Sequence, residues 1–421
     1  MSYYKVTHSE GLFGEVEIQG SKNSVLPIIA ATILNSGQTI IKNCPRISDV
    51  DNMIKILSAL GANCRFEKNI LVVDTSQINK NMITDNAVSR IRSSVIFMGA
   101  LAGRFGSARI TYPGGCNIGE RKIDAHLDAF SQLGFGVTEN ENIYVEGRIT
   151  EDKNVNLKVK SVGATENVII SSVLSDGRKI VINNAVKEPE IVSLCEALNK
   201  MGADIKGAGT SRIEIVGVRK LHDSEIEICP DRIVAGTYIA ALCGVGGSIT
   251  IKNIGSDYDK AILENFHKLG VNYKFYGNEL DLKCAKIRRP LEEITVSTAV
   301  YPGFPTDMQS QLMAVMTTRA VKGIIVENIF ENRFTNVLML KKMGASIDVV
   351  SDKIAFISGV TSLKGCSVEA PDLRSGAALC IAGLMAEGVT KIYNPHYILR
   401  GYEHIDEDFR KLSAKVEYME E

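Results

Sequence analysis

Two hydrophobic rhythms alternate along this chain. The first is the stripe of an amphipathic helix. In MIKILSALGANCRFEKNILVV, beginning at Met53, the residues Met53, Ile54, Leu57 and Leu60 fall on one helical face. Gly61 follows, where a helix C-cap favours a left-handed residue. The same succession of helix, stop, strand, turn and strand returns in LDAFSQLGFGVTENENIYV at Gly134 and LCEALNKMGADIKGAGTSRIEIV at Gly202. It returns again in LENFHKLGVNYKFYGNELDL at Gly270 and LMLKKMGASIDVVSDKIAFI at Gly344. A sixth copy, FRKLSAKVEYME, carries Ser413 in the glycine's place. The stops recur about every 70 residues, too long for a solenoid repeat and suited to a small βαβ-type unit.

The second rhythm precedes the first in each copy. It is a segment of small apolar residues: NSVLPIIAATIL, SSVIFMGALAG, TENVIISSVL, GTYIAALCGV, DMQSQLMAVMTTRA and SGAALCIAGLMAEG. A helix apolar on most faces is a buried helix. Each is followed by a Gly-containing turn and a strand such as QTIIKNC or SITIKNI. Each copy therefore reads as buried helix, strand, amphipathic helix, strand, strand. Six copies give three per domain, with the break near Cys229-Pro230-Asp231, and the first twenty residues add one alternating strand in GEVEIQG.

Composition narrows the classes. At 421 residues the chain exceeds one ordinary core, so two domains are expected. A net charge of -1, few aromatics and no Trp argue against nucleic acid or an anionic membrane as partner. The longest apolar run, near Val25 to Leu34, contains Pro27 and is too short to span a bilayer. Nine cysteines lie scattered with no CxxC and no metal-ligand spacing, which points to reduced thiols, a cytoplasmic location and no metal.

The candidate chemistry sits at the starts of the buried helices and on one loop. Helix N-termini carry free N–H groups and partial positive charge. Here they are preceded by Ser21-Lys22-Asn23, by Arg90 and Arg92, and by Lys160-Ser161-Val162-Gly163. In the second half the corresponding groups are Asp231-Arg232, Pro305-Thr306-Asp307 and Asp372-Leu373-Arg374. Each Ser or Asp there reads equally well as an N-cap. Repeated Arg and Lys do not, because a cation opposes the dipole unless an anion is bound. The loop is YPGGCNIGER, Tyr112 to Arg121, which sets Cys116 among glycines that expose a thiol and bring backbone amides close to a ligand. No Rossmann unit follows Gly114-Gly115-Cys116-Asn117-Ile118-Gly119, and no Walker loop is present.

The blocks SKNSVLP, GGCNIGER, SVGAT, FPTDMQ, ENIFENRF, DLRSGAAL and RGYEHI, in this order, resemble the UDP-N-acetylglucosamine 1-carboxyvinyltransferases, a family of enolpyruvyl transferases. The resemblance covers essentially the whole chain. It implies an α/β fold of two inside-out α/β barrel domains, each a threefold repeat of a βαβαββ unit. Residues 21–229 would form the domain carrying the cysteine loop, and residues 1–20 plus 230–421 the second. It implies transfer of the enolpyruvyl group of phosphoenolpyruvate (PEP) to the 3'-hydroxyl of UDP-N-acetylglucosamine, with release of phosphate, as the committed step of peptidoglycan synthesis, and no cofactor. The alternative within the fold is 3-phosphoshikimate 1-carboxyvinyltransferase, which lacks the cysteine loop.

Residue by residue, the resemblance makes Cys116 the acid that protonates PEP and Asp307 the base near the 3'-hydroxyl. Lys22, Arg121, Arg374 and Arg400 match positions that hold the phosphate and carboxylate of PEP. Asn23, Arg92, the stretch Arg121, Lys122, Ile123, Asp124 and Ala125, then Ser161, Val162, Gly163, Asp307 and Ile329, match the UDP-sugar positions. Arg333 and Asp372 match supporting positions. Lys122 stands where the family usually has Pro, and Ala125 interrupts a usual DLH.

Overall fold

The structure, a computed structural model, describes residues 2–83, 92–112, 114, 123–286 and 292–420. Arg90, Cys116, Arg121 and Lys122 lie outside them. The chain divides into two compact units, with breaks between Gln19 and Gly20 and between Cys229 and Pro230.

The unit of residues 20–229 contains α1 (Lys22–Ala31), α2 (Ser48–Leu60), α3 (Phe97–Phe105), α4 (Asp124–Leu133), α5 (Val162–Ser172) and α6 (Pro189–Lys200). The other unit contains α7 (Arg232–Val245), α8 (Lys260–Lys268), α9 (Gln309–Arg319), α10 (Val337–Lys342), α11 (Leu373–Met385) and α12 (Ile405–Lys411). The odd-numbered α1, α3, α5, α7, α9 and α11 are the small-residue segments, except that α9 also buries Gln309, Gln311 and Arg319. In α7 and α11 nearly every residue is buried. Within its own unit α11 packs on α7 and α9, and in the other α3 packs on α5. Small side chains allow these close approaches: a Cβ on Gly99 of α3 would lie 2.6 Å from Asn167 Oδ1 of α5.

Six four-stranded sheets surround these helices among the described residues, and all share one order. A leading strand pairs in parallel with the strand after the inner helix, and the hairpin that follows adds two antiparallel strands. One example runs Lys153–Asn156, Lys179–Asn183, Arg212–Val216, Asp204–Lys206. Helices inside and sheets outside, three times per unit, is the inside-out α/β barrel. Alternation along each strand places one face on the helices, as in Ile180 and Ile182 or Ile213 and Ile215.

The N-terminus departs from expectation. It forms two strands, Tyr3–Thr7 and Leu12–Glu17, not one. The second leads the sheet of Gly247–Lys252, running parallel to it. The first lies between Val389–Tyr393 and Val416–Met419, antiparallel to both. That explains the shortness of the sixth copy. It supplies a single strand after its helix, and the start of the chain provides the missing one.

The six stops all adopt positive φ: Gly61 at 107°, Gly134 at 95°, Gly202 at 104°, Gly270 at 98°, Gly344 at 98° and Ser413 at 63°. A Cβ on Gly344 would meet nothing within 4 Å, so a substitution there costs backbone strain alone. Gly344→Ala is expected to lower unfolding free energy by about 1–2 kcal/mol in urea titration, with m unchanged. A second periodic feature is absent from the hydrophobic pattern. Asn43, Asn184, Asn253 and Asn394, each just after the strand that follows an inner helix, also take φ between 51° and 59°. Asn43 and Asn184 donate to Ile228 O and Leu157 O at the ends of the neighbouring leading strands.

Candidate active site

In the unit of residues 20–229, Ser21 caps α1, its hydroxyl accepting from Ser24 N at 3.3 Å. Lys22 is thereby the first helical residue and nearly buried, with Nζ 3.0 Å from Asp49 Oδ2. Asp49 sits in the first turn of α2 and is 1% exposed, so the ammonium is held by a fixed, dry carboxylate. Asn23 follows, half-buried. Arg92, half-buried, opens a 3-10 stretch, Arg92–Ile96, that runs into α3. Ser161 caps α5, accepting from Ala164 N at 3.3 Å, with Val162 exposed and Gly163 half-buried in the first turn. Ile123 is buried at the N-cap of α4; Asp124 is exposed and Ala125 half-buried.

Behind Ser161–Gly163 lie two buried titratable groups. Burial and then the charge of Arg92 push His126 down to about 3, so its ring is neutral. Burial, then Glu190 and Glu188, push Glu166 up to about 8.

In the other unit the starts of α9 and α11 and the loop before α10 meet around one carboxylate. Asp307 lies in the 3-10 turn Thr306–Met308 that leads into α9. Its Oδ1 accepts from Arg333 Nη2 at 2.8 Å and its Oδ2 from Arg374 Nη2 at 2.7 Å. The Arg333 and Arg374 side chains are 3% and 4% exposed, while that of Asp307 is 26% exposed. The cap reading thus fails for Asp307 and holds for its counterparts. Asp231 caps α7 through Ile233 N and Val234 N, and Asp372 caps α11 through Arg374 N and Ser375 N. Asp372 also accepts from the hydroxyls of Thr335 and Ser375. Burial opposes the charge of Arg374, but Asp307, Tyr402 and Asp231 outweigh it and raise the guanidinium above its ordinary range. Arg374 Nη1 is buried with no hydrogen-bond partner among the described residues.

The loop that carries Arg333 is organised by Glu327, which sequence reading missed. Glu327 is fully buried, and Oε1 accepts from Thr298 Oγ1 at 2.9 Å, Ile329 N at 2.8 Å and Phe330 N at 3.1 Å. Its Oε2 accepts from Thr306 Oγ1 at 3.0 Å, tying this loop to the turn of Asp307. Ile329 is half-buried in the same loop. Glu327→Ala would strand two amides and two hydroxyls, so it is expected to cost about 3 kcal/mol in chemical denaturation. Arg400 ends the 3-10 stretch Pro395–Arg400 and is half-buried. His396 is exposed, with its ring 4.3 Å from that of Tyr397.

The structure therefore joins Asp307, Arg333 and Arg374 directly, and Ile329 to them through Glu327. It pairs Lys22 with Asp49 and sets Arg92 near His126. Cys116, Arg121 and Lys122 are outside the described residues. The eight described cysteines are free thiols, five of them buried. No helix of the described residues is long and apolar enough to cross a membrane.

The chain is similar to known proteins along its whole length. Residues 6–409 match the family of EPSP synthase (3-phosphoshikimate 1-carboxyvinyltransferase). The UDP-N-acetylglucosamine 1-carboxyvinyltransferase of Thermotoga petrophila is 43% identical over 412 residues, 97% of each chain. UDP-N-acetylglucosamine 1-carboxyvinyltransferase 2 of Caldanaerobacter subterraneus subsp. tengcongensis is 42% identical over 417 residues, 99% of each. Among solved structures, the enolpyruvyl transferase NikO from Streptomyces tendae superposes with a TM-score of 0.86 at 23% identity, covering 99% of both chains. EPSP synthase from Acinetobacter baumannii superposes with a TM-score of 0.72 at 15% identity over the full length of both. The two structural likenesses speak for the fold; the two close sequence relatives carry the nucleotide-sugar name.

Proposed function

The chain belongs to the family of UDP-N-acetylglucosamine 1-carboxyvinyltransferases, and from that premise we propose that it transfers the enolpyruvyl group of PEP to the 3'-hydroxyl of UDP-N-acetylglucosamine, releasing phosphate. The observation that best supports the chemistry in this chain is the half-buried Asp307 held between two buried guanidiniums.

The reaction has two halves. In addition, C3 of PEP takes a proton while C2 becomes oxocarbenium-like and the 3'-oxygen attacks it, losing its own proton. In elimination, the tetrahedral ketal expels phosphate and C3 gives up a proton to restore the vinyl group. Cys116 is the acid at C3. Its glycine-rich loop and Arg121 lower the cost of a reactive thiol. Asp307 receives the proton of the 3'-hydroxyl, and the guanidiniums that clamp it fix the direction of its lone pairs.

Lys22, Arg121, Arg374 and Arg400 neutralise the phosphate and carboxylate of PEP, with Arg offering a bidentate fork to each. Charge that develops on the departing phosphate meets these preorganised cations. Asn23, Arg92, Arg121 to Ala125, Ser161 to Gly163, Asp307 and Ile329 hold the UDP-sugar. Free amides in the first turn of α5 suit its diphosphate. Arg333 and Asp372 act by holding Asp307 and the start of α11 in place. The product enters peptidoglycan synthesis, and the enzyme works in the cytoplasm. Incubation with both substrates should yield an enolpyruvyl-substituted UDP-sugar by mass spectrometry; unchanged UDP-N-acetylglucosamine would overturn the assignment.

A further inference from the structure

Tyr402 is 1% exposed and lies just beyond the 3-10 stretch that ends in Arg400. Its backbone is pinned against the start of α11. The Tyr402 amide donates to Ile398 O at 3.1 Å, and a Cβ on Gly401 would lie 2.8 Å from Leu373 Cδ2. The phenol points inward among the helices of its unit. Its hydroxyl is 2.7 Å from Thr237 Oγ1 of α7 and within hydrogen-bonding reach of the Arg374 guanidinium.

The direction of these bonds follows from the far end of the network. Thr237 Oγ1 is 2.8 Å from Ile233 O, and a carbonyl oxygen can only accept. The single hydroxyl proton of Thr237 is spent there. Gln311 Nε2 of α9 donates to the same Oγ1 at 3.4 Å. The hydrogen between the two hydroxyls therefore comes from Tyr402. That leaves the phenol oxygen only lone pairs to turn toward Arg374, so it accepts from the guanidinium. Burial raises the phenol above its ordinary range and keeps it neutral. A neutral acceptor fixes the plane of a guanidinium without cancelling its charge.

We propose that Tyr402 is a positioning residue for PEP: with Thr237 it forms a one-way hydrogen-bond chain, from Arg374 through Tyr402 and Thr237 to Ile233 O, that sets the Arg374 guanidinium for the anionic groups of that substrate. The chain ties the start of α11 to α7, and Gln311 brings in α9. Asp307 holds one side of Arg374 by charge, and Tyr402 holds it by a bond that leaves the charge available.

The inference rests on the reading of Arg374 as a contact of PEP, and steady-state kinetics with both substrates separates the two. Tyr402→Phe keeps the ring and removes the acceptor. It should raise KM for PEP about threefold to thirtyfold and leave KM for UDP-N-acetylglucosamine within about twofold of wild type. Thr237→Val removes the group that draws the phenol proton away from Arg374, so it should raise KM for PEP as well. Thr237→Ser restores a hydroxyl and should return KM for PEP to within about twofold of wild type; this pair of variants stands whatever the stability of Tyr402→Phe. In the Tyr402→Phe background, Thr237→Val should add less than about twofold, because it acts through the phenol. A KM for PEP unmoved in Tyr402→Phe, a Thr237→Ser as impaired as Thr237→Val, or the same Thr237→Val factor in both backgrounds would overturn the inference while leaving the function intact. Wild-type enzyme that releases no phosphate from PEP with UDP-N-acetylglucosamine would overturn both.

Discussion

Cys116→Ser is expected to abolish turnover with PEP and UDP-N-acetylglucosamine. A serine hydroxyl is close in size to a thiol but a far weaker acid, so it is not expected to deliver the C3 proton at neutral pH. The loss should be at least about 10²–10⁴-fold, the usual contribution of a positioned proton donor. The same change should remove covalent labelling by an epoxide that mimics PEP, such as fosfomycin. That reaction needs a nucleophilic sulfur, and the other described thiols include five buried ones. Mass spectrometry of the intact protein reads the label directly. Full activity in the variant would remove Cys116 from the mechanism.

Asp307→Asn carries the second large effect. The substitution keeps shape and size but removes the charge that faces Arg333 and Arg374. Two nearly buried guanidiniums would then lack their counterion, and the amide nitrogen would point at one of them. Stability should fall by about 3 kcal/mol, in the range for breaking a buried pair by removing one partner. Turnover should fall about 10²–10⁴-fold, because an amide accepts no proton from the 3'-hydroxyl. Arg333→Lys separates these effects. It retains charge but loses the fork, so it should lower stability and leave a larger share of turnover than Asp307→Asn. Equal turnover losses in the two variants would make Asp307 a purely structural anion.

The repeat was legible in sequence because it is written in hydrophobic spacing and in the six helix stops, which the structure finds at positive φ without exception. The fourfold recurrence of a left-handed Asn after a strand was also written there, in KNC, NNA, KNI and YNP, but a polar residue after a strand looks like any turn. The two copies without this left-handed Asn are those in which Tyr112 and Glu327 follow the strand. The pairing of Tyr3–Thr7 with Val416–Met419 was not legible, because no local pattern tells a strand at one end of the chain where its partner is.

The site divides the same way. Asp307, Arg333 and Arg374 were each named from motifs, but nothing in a motif distinguishes a capping Asp from a clamped one. Asp372 and Asp307 both stand at inner-helix starts in neighbouring copies. Asp372 is the cap of α11, while Asp307 sits one residue further from its proline, inside the 3-10 turn, and bonds to two guanidiniums. Asp49 and Glu327 were missed because each works through side chains or amides distant in sequence or in its own turn, and neither lies in a motif rich in cations. Their common signal is burial of a polar group, which depends on tertiary packing.

The central claim is the identity of the acceptor, and phosphate release tests it most directly. Purified enzyme with PEP and UDP-N-acetylglucosamine should release phosphate in amounts equal to the acceptor consumed, and shikimate 3-phosphate in its place should give only the background rate. Release with shikimate 3-phosphate and none with UDP-N-acetylglucosamine would contradict the account.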